Sequence, residues 1–342
     1  MNLFLGMLKS ACVVALLLCA VGGPSDASAE GKEINIGRAV SVAYLPIMVM
    51  EERKLMEKHA KTAGLGDITV NYVQMTGGTQ LNDALLSGSV QIATGGMTPF
   101  VIIWAKTHAN IRVRGLSAFN SMPLYLNTRN PDIKTIKDFT DKDRIAVVGA
   151  KSALQAILLQ MEVSKVYGPE QYTKLDSLTV SMPLADAAAQ LISGGSGVIT
   201  ADFTVPPFSY QELAVPGVHT VMTSTDILGG PATYGIAYTT SKFTKENPKT
   251  STAFISALRE AIDIIDKDRS AAGDVFLRTS KVKMSKSLID KMMADPTITF
   301  EQMPQNVMKY VEFMNRIGTI NVKAQSWKDL FFPSEIYQLQ GS

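Results

Sequence analysis

The stretch that decides the fold runs Asp67-Ile68-Thr69-Val70-Asn71-Tyr72-Val73-Gln74, then Met75-Thr76-Gly77-Gly78-Thr79-Gln80 and an apolar-periodic run to Ser87. It continues through Gly88-Ser89, Val90-Gln91-Ile92-Ala93 and Thr94-Gly95-Gly96-Met97-Thr98-Pro99, closing on Phe100 to Lys106. Alternation and β-branched residues in the first run predict a strand, and Leu81, Ala84 and Leu85 at i, i+3, i+4 predict a helix. The order is strand, glycine turn, helix, strand, glycine turn, helix. Both glycine turns fall where a strand ends and a helix begins. In an open parallel sheet that edge binds ligands, on free amides at helix N-termini.

The rhythm extends both ways. Glu33 to Arg38 reads as a strand, followed by Ala39 to Pro46 and a helix carrying Ile47, Met50, Leu55 and Met56. Pro46 suits a first helical turn, where its missing amide is no loss. Asn110–Phe119 and Pro123–Thr128 are strand-like. A second βα series follows: a strand at Arg144–Val148, a helix at Leu154–Tyr167, a strand at Leu178–Met182, a helix at Leu184–Ile192, a strand opening at Val198–Thr200, and one more at Val218–Thr223. Two similar series predict two α/β lobes, each a mostly parallel sheet flanked by helices. Pro231–Thr240 alternates like a strand that returns to the first lobe. Pro248–Asp268, Ser270–Leu277, Ser285–Ala294 and Pro304–Ile317 read as helices. The expected division is a signal peptide at 1–29, first lobe at 30–129, second lobe at 130–230, and return to the first lobe with C-terminal helices at 231–342. Two chain passes, near Ser121–Thr128 and Gly229–Tyr234, would form a hinge.

The 342 residues carry 33 basic and 31 acidic side chains, a formal net charge of +2. No basic run with interleaved aromatics occurs, so no nucleic-acid partner is expected. Lys9, the apolar segment Ala11–Val21, the break Gly22-Gly23-Pro24 and the small-x-small site Ala27-Ser28-Ala29 together read as a cleavable secretory signal. The mature chain is expected to begin near Glu30, in the periplasm. Both cysteines, Cys12 and Cys19, lie within that signal, so the mature protein would hold no disulfide, thiolate ligand or cysteine nucleophile.

Chemistry beyond binding is not indicated. His59, His108 and His219 lack metal-ligand spacing. No Gly-x-Ser-x-Gly elbow is present. Gly149-Ala150-Lys151-Ser152 resembles the end of a phosphate loop, but Arg144 stands where that motif needs its first glycine. What remains is a set of strand-end loops rich in Gly, Ser, Thr, Asn and aromatics, suited to neutral hydrogen bonds, helix-end amides and stacking. The candidate ligand-binding residues are Arg38, Ser41, Tyr44, Gly78, Thr79, Gln80, Gly95, Gly96, Met97, Thr98, Asn120, Lys151, Ser152, Asp202 and Phe203, with no catalytic residue, metal or cofactor expected. Each has a plainer alternative: Arg38 an ion-paired surface arginine, Tyr44 packing under the first helix, Lys151 a solvated lysine, and Asp202, slightly favoured, the cap of a helix starting near Val205.

The chain resembles the nitrate/sulfonate/taurine group of periplasmic solute-binding proteins of ABC importers, with thiamine-precursor-binding relatives nearby. The resemblance lies in Tyr44-Leu45-Pro46, Gly77 to Leu81, Ala84 through Gly95, Thr98-Pro99, Ile133 to Phe139, Gly149 to Ser152, Ala185-Asp186-Ala187 and the Trp327–Pro333 tail. It implies a two-lobe class II binding-protein fold closing on a small molecule. It implies ligand contacts at Tyr44, Gly78 to Gln80, Gly95 to Thr98, Ser152 and Asp202, and delivery by a monomer to a membrane permease with its ATPase. A small sulfonate-, nitrate- or taurine-like anion is the favoured ligand. Met97, Leu154-Gln155 and Thr200 depart from the sulfonate binders' pattern, which keeps a neutral or aromatic heterocycle, such as a thiamine or flavin precursor, as the alternative; an enzyme on the same fold is the lesser one.

Overall fold

The computed structural model describes residues 30–149, 153–194, 197–280, 282–334 and 338–342. In chain order the first half holds β1 (Glu33–Arg38), α1 (Leu45–Arg53), α2 (Leu55–Thr62), β2 (Thr69–Gln74), α3 (Gly78–Ser87), β3 (Ile92–Gly96), α4 (Met97–Thr107), β4 (Val113–Ser121), β5 (Tyr125–Thr128), β6 (Ile145–Val147), α5 (Leu154–Tyr167), β7 (Thr179–Ser181) and α6 (Leu184–Ser193). Then come β8 (Ala201–Thr204), α7 (Phe208–Leu213), β9 (His219–Thr223), α8 (Ser224–Leu228), β10 (Thr233–Thr240), α9 (Ser241–Glu246), α10 (Pro248–Lys267), α11 (Arg269–Ser280), α12 (Lys286–Met293) and α13 (Val307–Arg316).

Ten strands form two five-stranded sheets of matching order, β2-β1-β3-β10-β4 and β7-β6-β8-β5-β9. In the first, β1 runs parallel to β2 and β3, while β10 is antiparallel to β3 and β4. In the second, β6 runs parallel to β7 and β8, while β5 is antiparallel to β8 and β9. The α/β two-lobe architecture is therefore present, with one reversed strand in each sheet.

Those reversed strands position everything else. The chain leaves the first sheet at Ser121, enters the second at Tyr125, and returns through α8 to Thr233. Thr233 pairs with Ser121, and Tyr125 pairs with both Thr204 and Thr223. Eight strands therefore end, and the two reversed strands begin, at the edges that the crossings join. Alongside the first crossing, Ser121 and Thr299 exchange backbone hydrogen bonds of 2.9 Å each, so a segment of the C-terminal tail runs beside the hinge.

Local structure follows most of the expected signals, but the strand expected from Asn110 begins at Val113, the helix expected from Pro304 begins at Val307, and the short helices α8 and α9 carried no signal. Pro46 does sit in the first turn of its helix. The helix drawn through Ile47 to Met56 is two helices, broken at Lys54 in the left-handed region (φ 52°). The strand expected to open at Val198 pairs only from Ala201 onward, where the Arg144 carbonyl accepts both the Thr200 and Ala201 amides.

The core is layered on both faces of the first sheet. One side gathers α1, α2, α10, α11 and α12 around Ile34, Ile36 and Phe254. The other runs from α4 through α13 to α5, joining Phe100, Trp104, Tyr310 and Leu158 in one apolar body that spans both lobes. A third, smaller cluster, Ala146, Ala187, Leu191 and Ile199, lies under α6.

Candidate functional site

At the edge of the first lobe, β1 ends on Arg38 and the chain turns through Ser41 into Tyr44. Arg38 donates from Nε and Nη2 to Glu51 Oε2 at 3.1 and 2.6 Å, while its buried Nη1 has no partner among the described residues. Arg38 is thus ion-paired, but as a buried rather than a surface arginine, and most of its charge is answered within the lobe. Ser41 is buried, and its hydroxyl has no partner among the described residues. Tyr44 lies against Phe119, ring centroids 5.8 Å apart, and burial pushes its phenol well above the usual tyrosine value. Asn120 holds this turn in place: its Nδ2 donates to the Ala43 carbonyl and its Oδ1 accepts the Gly235 amide at 2.9 Å. Asn120 positions Tyr44, and both ends of its amide are spent doing so.

The two glycine turns converge. Helices α3 and α4 begin after Gly77 and Gly96, and neither start has a side-chain cap. A Cβ on Gly78 would stand 2.6 Å from Pro99, so this glycine is what lets the first turn of α3 meet the first turn of α4. Asn82 Nδ2 donates to the Pro99 carbonyl at 2.9 Å and fixes the pair. Gly95 is equally confined, since a Cβ there would lie 2.9 Å from Leu81 and from the Tyr238 hydroxyl. Gln80 Oε1 accepts the Thr76 amide and hydroxyl, both at 2.9 Å, so it closes its own turn, and Thr79 is exposed beside it. Met97 is fully buried in the core behind Gly96, and Thr98 is fully buried with no partner for its hydroxyl among the described residues.

Opposite them, α5 and α6 start after Ala153 and Pro183, also without side-chain caps. Lys151 and Ser152 lie outside the described residues. Three helices that begin away from these edges are served by side chains: Thr240 and Ser285 cap α9 and α12, and the Glu30 carboxylate accepts the Lys249 and Thr250 amides of α10. The starts of α3, α4, α5 and α6 thus lack side-chain caps where the sheets face one another, and each is a source of unpaired amides and partial positive charge.

Asp202 corrects the expectation of a helix cap. It lies inside β8, and α7 begins only at Phe208, with Pro207 before it and no side-chain cap. Its neighbour Phe203 points into the apolar core from the other face of the strand. Asp202 faces Glu212 of α7, and both are buried. Asn127, opposite Asp202 on β5, donates from Nδ2 to Glu212 Oε2 at 2.8 Å and accepts the Thr220 hydroxyl at 2.8 Å. The two carboxyl groups face each other, with Asp202 Oδ2 and Glu212 Oε1 holding no other partner among the described residues, and neither forms a salt bridge with a described basic residue. Burial pushes Asp202 up to about 6, and burial together with the Asp202 charge pushes Glu212 up to about 10. Two buried carboxyls without a cation keep one proton between them, because two bare charges there would be prohibitively costly. Sequence reasoning missed Glu212 entirely; a glutamate in a short helix carries no mark of burial until the sheet is placed beneath it.

Two surface hollows lie away from these edges. One, of about 470 Å³, is lined by residues including Arg259, Phe300 and Gln302. The other, about 690 Å³, lies between α5, α8 and α13. Neither is lined by any of the buried, unpartnered polar side chains; Ser41, Thr98 and Ser121 hold theirs at the facing edges. Among the described residues no three His, Cys, Asp or Glu side chains gather as a metal site would need, and no helix is long and apolar enough to cross a membrane.

Solved structures share this architecture. The periplasmic aliphatic sulphonate binding protein of Escherichia coli matches with a TM-score of 0.67 and 16% identity, over 92% of this chain and 95% of that one. The alkanesulfonate-binding protein of Xanthomonas axonopodis pv. citri, bound to MOPS, matches with 0.64 and 16%, over 85% and 92%. The periplasmic nitrate-binding protein of Synechocystis PCC 6803 matches with 0.65 and 13%, over 88% and 85%. At these identities the likeness establishes the periplasmic binding protein fold. No curated protein matches the sequence. The profile of the NMT1-like family matches residues 27–276, which is most of the chain, and with the two-lobe fold beneath it the protein belongs to the NMT1-like family.

Proposed function

We propose that the chain is the solute-binding component of an ABC importer, which captures a small solute between its lobes and hands it to a membrane permease with its ATPase. The observation that carries this reading is the meeting of uncapped helix starts, α3 and α4 from one lobe and α5 and α6 from the other, at edges joined by two crossings. Unpaired amides and the buried hydroxyls of Ser41 and Thr98 are donors suited to oxygen atoms of a bound solute. The related folds that bind sulphonates and nitrate in the periplasm support the same reading. Residues 30–129 with 231–342 form one closing unit and 130–230 the other. The protein is a monomer, secreted to the periplasm with cleavage near Ala29-Glu30, and catalyses nothing.

A small organic or inorganic anion is the favoured solute, because helix starts supply positive potential at the facing edges. Arg38 contributes little net charge, being paired with Glu51. That pairing, and the aromatic wall of Tyr44 and Phe119, favour a neutral or aromatic heterocycle as the second reading. Native mass spectrometry of the protein purified without refolding, followed by a thermal-shift series of alkanesulfonates, taurine, nitrate and neutral heterocycles, separates the two. A ligand at a hundred times its Kd stabilises by about 2.7 kcal/mol and raises Tm accordingly. Saturable binding of a sulfonate or nitrate supports the anion, saturable binding of a heterocycle replaces it, and conversion of a bound compound to product overturns the binding-only function.

A further inference from the structure

Helix α7 is rooted in one lobe and fastened to the other. Ser209 and Glu212 face inward onto the second sheet, where Glu212 is tied to Asp202 and Asn127. From the other side of the helix, the Tyr210 hydroxyl donates to the carboxylate of Asp295. Asp295 belongs to the segment after α12 that is built onto the first lobe. Its Oδ1 accepts the Thr297 amide and hydroxyl at 2.8 and 2.6 Å, Arg269 of α11 donates to the Ile298 carbonyl, and Thr299 is joined to Ser121 by the backbone pair beside the hinge. The carboxylate is therefore oriented by the first lobe before Tyr210 reaches it. Tyr125, the first residue of β5 after the crossing, stands edge-on to Tyr210 at 6.4 Å and limits the rotamers open to it.

The opposite flank is bound in another way. There α13 continues the apolar core from α4 to α5, with Phe313 against Tyr172 at 6.4 Å and Arg316 donating to Ser164 at 2.8 Å. A buried apolar seam tolerates small sliding, whereas a hydrogen bond to an exposed-side hydroxyl is either made or broken. A rotation of the second lobe about the two crossings that kept the α13 seam in place would draw α7 away from Asp295.

We propose that the Tyr210–Asp295 hydrogen bond is a closure latch: a contact outside the solute-binding edges that sets the balance between open and closed lobes and, through it, solute affinity. The proposal rests on the reading that the lobes close on a solute. A hydrogen bond to a charged acceptor is among the stronger ones, and its loss lowers the closed population several-fold, with an affinity loss of about three- to tenfold at unchanged cleft contacts.

The experiment measures lobe separation directly. Labels on Leu86→Cys in α3 and Val198→Cys before β8, both exposed positions in different lobes, report the distance by electron–electron double resonance. In the ligand-free protein, Tyr210→Phe and Asp295→Asn are each expected to shift the distribution to longer distances, with the double variant no longer than either single one. Small-angle scattering should show the matching increase in radius of gyration, and far-UV circular dichroism should stay unchanged. Distributions identical to the wild type in both variants overturn the latch. Longer distances in a protein that closes on no tested solute leave the latch standing and count against the solute-binding reading. Closure on a solute with indistinguishable variants does the reverse.

Discussion

In the first sheet β3 is followed by α4, and in the second, at the same place in the strand order, β8 is followed by α7. Ala93 stands beside Gly37 and Tyr238; the matching place, beside Ala146 and Asn127, holds Asp202. Helix α4 has 11 residues, of which eight are buried, and Trp104 sits almost wholly within the core. Helix α7 has six, and its two buried residues are Ser209 and Glu212. One helix is held by non-directional apolar packing and the other by a few directional hydrogen bonds around a shared proton. Apolar packing is insensitive to pH and gives a fixed wall. Hydrogen bonding to an ionisable pair gives a helix whose hold depends on protonation and on each partner being present. The difference suits the wall that stays and the wall that carries the contact across the hinge.

The largest expected effects test each hold by truncation. Trp104→Ala removes a side chain that is 1% exposed and should cost about 3–5 kcal/mol, read as a lower urea midpoint. Glu212→Ala leaves the Asn127 amide without its acceptor and Asp202 buried alone, and should cost about 3 kcal/mol. The sharper comparison is Glu212→Gln, whose amide can donate to the Asp202 carboxylate and still accept from Asn127. It should lie within about 1 kcal/mol of the wild type. If Gln is as damaging as Ala, the pair does not share a proton in the manner described.

Next in size is the pH dependence. Burial raises the folded-state values of both acids, to about 10 for Glu212 against an ordinary 4.5, and to about 6 for Asp202 against 3.8. The folded protein therefore holds protons that the unfolded chain has released. The pair's contribution to stability is full below the ordinary carboxylate range and declines as pH rises towards about 10, by at most about 1.4 kcal/mol per pH unit for each proton held. The lowered values of Asp138, Glu260, Asp290 and Asp295 act the other way in acid. Urea titrations across that window should show the decline, and Glu212→Gln should flatten its upper part. A wild-type curve that is flat, or that rises with pH, between about 6 and about 10 contradicts the buried pair.

How much of this was legible in the sequence differs between the same two regions. The α4 side was open to reading because glycine turns, β-branched runs and helical spacing are local signals, and Leu154–Tyr167 emerged as a helix with the same ends for the same reason. The α7 side was not. Val198-Ile199-Thr200 is as β-branched as a strand, yet pairing begins at Ala201, because the Arg144 carbonyl, distant in sequence, determines where the ladder starts. That displacement turned Asp202 from a strand residue into a supposed cap and hid its face. Lys54 breaks a helix without a glycine to announce it. Hydrogen bonds such as Asn120 to Ala43 and Gly235, or Tyr210 to Asp295, join residues 77, 115 and 85 positions apart, beyond any periodicity.

A smaller effect probes the α3–α4 meeting on the apolar side. Gly78→Ala places a methyl 2.6 Å from Pro99, which is ring carbon rather than a flexible tip, so the two helix starts must separate. The expected cost is about 1–3 kcal/mol by denaturant melt, with solute affinity lowered because the amides no longer converge. Retained affinity together with lost stability would show that convergence matters to the fold alone.

The smallest expected change in stability has the opposite sign. Ser41 and Thr98 bury hydroxyls that have no partner among the described residues, and such groups are an expense to the folded state. Ser41→Ala and Thr98→Val remove them with little change of shape, so each should leave stability unchanged or raise it by up to about 1 kcal/mol. If those hydroxyls serve the solute, the same substitutions should weaken its binding about tenfold each, a loss of roughly 1.4 kcal/mol apiece. Gain in Tm with loss of affinity marks a polar group retained for a ligand. At the Asp202–Glu212 pair, where Asn127 and the shared proton hold the two carboxyls, stability and the hold on α7 should instead fall together. The two signs, measured on one protein by melting and by titration, distinguish polarity built for binding from polarity built for the fold.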